Sequence, residues 1–209
     1  MAECFCHRAR DDREDIAANG KRKEGFKIML KNTGVLEELS REQLYELIEL
    51  YSKNWLALDG VWFQSVESKL GMDEAMEHDE QAWKRFTAIE ARRIKQFLHL
   101  PEQAGLEGLA RALRFRFYAN LNRDELRWEN GALIYRAVDC RVQTARARKG
   151  MPFHPCKRVG LVEYAGFAKG IDERIECECL SCYPDINDDS CCCAWRFTLP
   201  PAPDKGVLP

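Results

Sequence analysis

Six of the ten cysteines in this 209-residue chain fall in one short stretch, ECECLSCYPDINDDSCCCAWRFTL, at Cys177, Cys179, Cys182, Cys191, Cys192 and Cys193. Thiolate sulfur is the soft ligand that selects zinc or iron–sulfur, and two close Cys pairs joined by a loop are the usual way to assemble a tetrahedral site. The spacing therefore predicts a structural zinc held by Cys179, Cys182, Cys191 and Cys193, with Cys177, Cys192, Cys156 and Cys140 as alternatives for any one of them. An iron–sulfur cluster or a thiol redox centre is the alternative use of the same residues. The bland alternative is that Cys177 and Cys191 are small core hydrophobes. The loop between the pairs is acidic and Arg196 is the one basic neighbour, an environment that raises thiol pKa values and argues against a reactive nucleophile without a metal. The N-terminus, MAECFCHRAR, has no apolar leader and no later stretch is apolar for the length of a bilayer span, so a cytoplasmic address is expected, where free thiols outnumber disulfides.

A second group with chemical potential lies in the first half. Trp55, Asp59 and Trp62 recur at helical spacing, which predicts a carboxylate on a core-facing stripe between two large rings. Such a carboxylate needs a partner, and the candidates are Glu90 and Arg93, on one face of the next helix with Phe86, or His78 and Arg92 in a different register. Either a buried salt bridge fixes helix register there, or Trp55, Asp59, Trp62, Glu90 and Arg93 line a ligand pocket in which Asp59 and Glu90 act as acid and base. Ferritin-like di-iron chemistry is excluded, because no His stands three residues after a Glu. Cys4, Cys6 and His7 form a CxCH cluster that lacks a fourth ligand.

The elements that position these residues are legible from punctuation and period. A charge-dense arm is expected over 1–38 and a Pro-rich tail over 200–209. Between them the sequence predicts a helical hairpin over 39–100, opened by the Ser40-Arg41-Glu42-Gln43 capping box and broken at Gly71. An α+β domain over 101–199 follows: a helix from Gly105 to about Leu121, a β-hairpin turning at Asn130-Gly131, short helices at about 139–148 and 160–169, and a Cys-rich antiparallel hairpin around a polar loop, Ser181 to Ser190. The expected fold class is α+β: a helical hairpin that offers a homodimer interface, then an antiparallel sheet with flanking helices. A net charge of −2 gives no global pull toward nucleic acid or membrane. The Arg-rich run between Arg111 and Arg158 is read as a solvated or self-paired surface rather than as a contact for RNA or an anionic ligand.

The runs NWLALDGVWFQSVE, EARRIKQF, DCRVQTAR and PCKRVGLVEYAGFA, together with the Cys-rich stretch, resemble an uncharacterised family of prokaryotic cytosolic proteins of unknown function over about Leu39 to Leu199. More distantly, the C-terminal half resembles the 4-vinyl reductase domain and the L-2-amino-thiazoline-4-carboxylic acid hydrolase family. In that likeness Cys182 and Cys191 flank the Cys-bearing loop, and Trp195 and Phe197 stand in the closing strand. The resemblance implies a small-molecule-binding fold and identifies no catalytic residue. The resulting expectation is a zinc-containing, small-molecule-binding protein. A hydrolase-like enzyme using Asp59 and Glu90 or the metal is the alternative, as is an iron–sulfur or thiol redox protein.

Overall fold

A computed structural model describes residues 33–200. The Cys4, Cys6 and His7 cluster, most of the expected arm and the Pro-rich tail lie outside the described residues. Helix α1 (Thr33–Glu37) belongs to one compact unit, and everything from Ser40 onward to a second.

The second unit opens with α2 (Arg41–Leu70) and α3 (Met72–Phe97). The capping box is made as expected: Ser40 Oγ accepts from the Gln43 amide at 3.2 Å while the Gln43 side chain accepts from Ser40 N at 2.9 Å. One residue separates the helices, and Gly71 takes φ +91°, a value that any side chain would strain. Trp62 meets His78 and Trp55 meets Phe86, a register that defines an antiparallel hairpin.

Helix α4 (Gly105–Leu113) is amphipathic and buries Leu106, Leu109 and Leu113. It ends eight residues earlier than its apolar spacing predicts, because Arg116 and Phe117 turn inward to meet Glu90 of α3. Strands β1 (Arg123–Glu129) and β2 (Ala132–Asp139) are joined by Asn130-Gly131, both at positive φ. Helix α5 (Arg141–Arg148), helix α6 (Lys157–Ile171) and strands β3 (Glu176–Cys182) and β4 (Cys193–Thr198) complete the fold. The sheet is antiparallel throughout, in the order β1-β2-β4-β3.

One face of that sheet carries the core. Leu133, Tyr135 and Ala137 of β2 stand opposite Phe197, Trp195 and Cys193 of β4, and α3, α4 and α6 pack over them. The approach of α6 is close because small residues permit it. A Cβ at Gly170 would stand 2.5 Å from that of Ala91, and one at Gly160 would stand 2.5 Å from Trp195 Cζ2. A second apolar cluster, with Phe63, Met76, Trp83, Tyr118 and Val159, fills the space between α2, α3 and α6.

Part of the Arg-rich run pairs within the chain, while Arg111, Arg114, Arg141 and Arg148 form no ion pair among the described residues. Arg116 joins Glu90 and Glu163, Arg123 joins Asp139, Arg146 joins Glu67, and Arg158 joins Glu77 and Glu80.

Candidate functional site

Between the two apolar clusters lies a cavity of about 350 Å³, walled by α2, α3, α5, α6 and the inner ends of β2, β3 and β4. Its apolar wall includes Phe63, Trp83, Val159 and Trp195, and its polar lining mixes Asp59, Asp79 and Glu163 with His154, Arg141, Lys53 and Arg146, the last two already paired with Glu49 and Glu67.

Asp59 of α2 faces this space and forms no hydrogen bond or ion pair among the described residues. Burial, then the nearby Asp79 and Glu163 carboxyls, push its pKa up from 3.8 to about 6. Glu163 of α6 is also raised, chiefly by burial, although Arg116 Nη1 donates to it at 2.7 Å and Tyr118 donates to it as well. Gly60, beside Asp59 in mid-helix, leaves the wall open: a Cβ there would find Gln64 Nε2 at 3.9 Å and nothing nearer.

Across the cavity the segment before α6 is held by α5. Gln143 accepts from His154 N at 3.0 Å and donates to His154 O at 2.8 Å. Arg146 donates to Pro152 O and clasps both Glu67 oxygens at 2.7 and 2.8 Å, tying this segment to α2. The His154 ring is therefore fixed, with Nδ1 3.2 Å from Cys156 Sγ and Nε2 3.5 Å from Asp79 Oδ2. Burial holds the Cys156 thiol well above its ordinary range, so the S–H is retained beside Nδ1.

The six clustered cysteines part company in the fold. A β-bulge between Cys179 and Ser181 shifts the phase of β3, so Cys182 reaches the inner face despite its odd spacing from Cys179 and stands directly opposite Cys193. These two thiols hydrogen-bond to one another and face the cavity, which Cys140 and Cys156 also line. The hydrogen bond to Cys182, then burial, keeps Cys193 protonated, and burial pushes Cys140 up to about 12. Cys177 and Cys179 pack instead beside Phe197 and Trp195. Cys191 precedes β4 and bonds to Asp188, and Cys192 bonds to Val138 O. Among the described residues, no group of three or more His, Cys, Asp or Glu side chains is gathered to hold a metal ion.

The polar loop is fastened by hydrogen bonds. Arg136, on the outer face of β2, donates to Asp188 and Ser190, and Ser181 Oγ accepts from the Asn187 and Asp188 amides.

Of the helical candidates, Asp59 alone reaches the cavity wall. Trp55 is 40% exposed and Trp62 48% exposed, at the outer edge of the stripe, so the expectation that both rings enclose Asp59 on the core face does not hold. Glu90 is withdrawn from Asp59 because Arg116 Nε and the Phe117 amide occupy its two oxygens at 3.0 and 3.1 Å, and Arg93 is exposed. Asp79, His154 and Glu163 are the residues that sequence spacing missed. They come from three separate segments, and the His154-Pro155-Cys156 run carried the one available signal.

The model of a family of unknown function, DUF6125, matches residues 37–199, which span the cavity and the sheet. The chain belongs to that family. No curated protein and no solved structure matches this DUF6125 protein. No described helix is long and apolar enough to cross a membrane.

Proposed function

We propose that this DUF6125 protein binds a small molecule in the helix–sheet cavity and that the ligand carries a cationic group. The observation that carries this reading is the Asp59 carboxyl, unpaired among the described residues, in a partly open, mostly apolar cavity beside Asp79 and Glu163. A buried carboxylate without a partner is costly, and an ammonium or amidinium is the complement that relieves it. The resemblance of the C-terminal half to small-molecule-binding domains points the same way. All eight described cysteines are free, which supports a reducing compartment.

Ligand-observed NMR with phenethylamine and phenylacetate, which share a ring and differ in charge, tests the reading. The amine binds and gains affinity as pH rises through about 6, and Asp59→Asn removes the preference. Equal binding of both probes, or binding of neither, overturns it.

A second reading keeps a soft metal, zinc, at the thiols. It is favoured by the contact between Cys182 and Cys193, with Cys140 on the same cavity wall. Two adjacent thiols rather than four converge, so this reading requires Cys140 or another donor to rotate inward. Elemental analysis of the purified protein and of Cys182→Ser tests it: stoichiometric zinc lost in the variant supports it, and no zinc in either removes it.

A further inference from the structure

The fixed arrangement of Cys156, His154 and Asp79 has the order of a nucleophile, a base and the carboxylate that orients the base. We propose that Cys156 is a catalytic nucleophile activated by His154, acting on the carbonyl carbon of a small ester, thioester or amide held in the cavity. The proposal rests on the reading of that cavity as a ligand site.

Four observations support the assignment. His154 Nδ1 is 3.2 Å from Cys156 Sγ, within reach for proton transfer. His154 is 8% exposed and its backbone is clamped on both sides by Gln143, so its orientation is set by the fold. Cys156 is the N-cap residue of the 15-residue α6, whose Arg158 and Val159 amides find no backbone partner among the described residues, and its own side chain makes no capping bond to them. Gln143 Nε2, which donates to His154 O, also donates to Sγ at 3.2 Å, a bond that strengthens as the sulfur gains negative charge. Asp79 acts through His154 and is a positioning residue.

The chemistry closes without an outside oxidant. As Sγ bonds to the carbonyl carbon, the thiol proton passes to Nδ1, and collapse of the tetrahedral adduct breaks the bond to the leaving group, which takes that proton. Water then attacks the S-acyl-Cys156, giving its proton to Nδ1, and the thiol is restored as the acid departs. The retained thiol proton at rest fits a base that acts during attack rather than a standing ion pair.

p-Nitrophenyl acetate is the probe, with the full chain as the protein. Expected are a burst of nitrophenolate near one equivalent and one acetyl group on the Cys156 peptide by mass spectrometry. Cys156→Ala removes both. His154→Gln slows acylation about 100-fold or more, and Asp79→Asn shifts its pH profile while the circular dichroism stays unchanged. Gly60→Phe, which fills the cavity, blocks acetylation of Cys156. Acetylation of other cysteines only, or an unaltered rate in His154→Gln, overturns the proposal. If phenethylamine binds while Cys156 is never acylated, the nucleophile falls and the ligand site stands; if neither is seen, both fall.

A separate observation concerns the exposed flank of α2, beside the face that meets α3. Leu44, Tyr51 and Leu58 recur every seven residues, as do Ile48, Trp55 and Trp62, and Tyr51 and Leu58 are 62% and 71% exposed. We infer that this seam packs against α2 of a second copy. An apolar stripe at heptad spacing left uncovered along one helix is the pattern that a second such helix covers, which makes a second copy of this chain the occupant. The flanking Glu42, Glu46 and Glu49 disfavour an anionic bilayer as the occupant. Light scattering of the eluting full chain should give twice 24.2 kDa, and Leu58→Glu should halve the mass without loss of helix content. A wild-type monomer, or a dimer untouched by Leu58→Glu, overturns the inference.

Discussion

Replacing Asp59 by Asn should stabilise this protein at neutral pH and leave it unchanged in mild acid. In the folded chain the carboxyl holds its proton up to about pH 6, against 3.8 in an ordinary setting. Its contribution is therefore fully present below pH 3.8 and is lost as pH rises through 6, where a desolvated charge remains. At 1.36 kcal/mol per pH unit the ceiling is about 3 kcal/mol, and water entering the cavity reduces this to about 1–2 kcal/mol. For a chain of this size that corresponds to a rise in Tm of roughly 2–8 °C. Thermal unfolding of both proteins at pH 4 and pH 7.5 reads it directly. Asp172, tied to Arg174, and Asp188, tied to Ser190 and Arg136, hold their carboxyls well below the ordinary range and stay ionised at pH 4, so neither masks the comparison. Equal stability of the variant at both pH values, or a loss at pH 7.5, refutes the reasoning, since either means that Asp59 already has a satisfying partner.

Gly60→Ala should raise stability by about 0.5–1 kcal/mol in urea unfolding, because a mid-helix glycine facing open space gives up helix propensity without a packing return. Gly160→Ala should cost about 1–3 kcal/mol in the same assay, since its methyl would press on Trp195. Glu90→Ala should cost roughly 3–5 kcal/mol, because it leaves the buried Arg116 and the Phe117 amide short of an acceptor; a cost under about 1 kcal/mol would show that the network is not what ends α4.

Local rules carried most of the fold. The Ser40 capping box, the break at Gly71, the Asn130-Gly131 turn and the alternation of β4 are fixed within a few residues of sequence, and each stands where spacing puts it. The overlong reading of α4 fails because an apolar period continues through Phe117 while Arg116, three positions past its end, is drawn to Glu90 by a contact 26 residues away in sequence. The thiols show the same limit. Pairing Cys182 with Cys193 depends on a bulge that no spacing rule marks, and the polar loop is anchored from Arg136, on a strand more than 50 residues earlier. Asp59 was legible as a carboxylate out of place on an apolar stripe. Its surroundings were not, because Asp79, His154 and Glu163 converge only after α3, α5 and α6 have packed.

The most direct test of the central claim is a crystal structure of the protein soaked with phenethylamine at pH 7.5. The account predicts the ring against Trp83 and Phe63 and the ammonium about 3 Å from the Asp59 carboxylate. An empty cavity at saturating amine, or the amine bound elsewhere with Asp59 untouched, would contradict it.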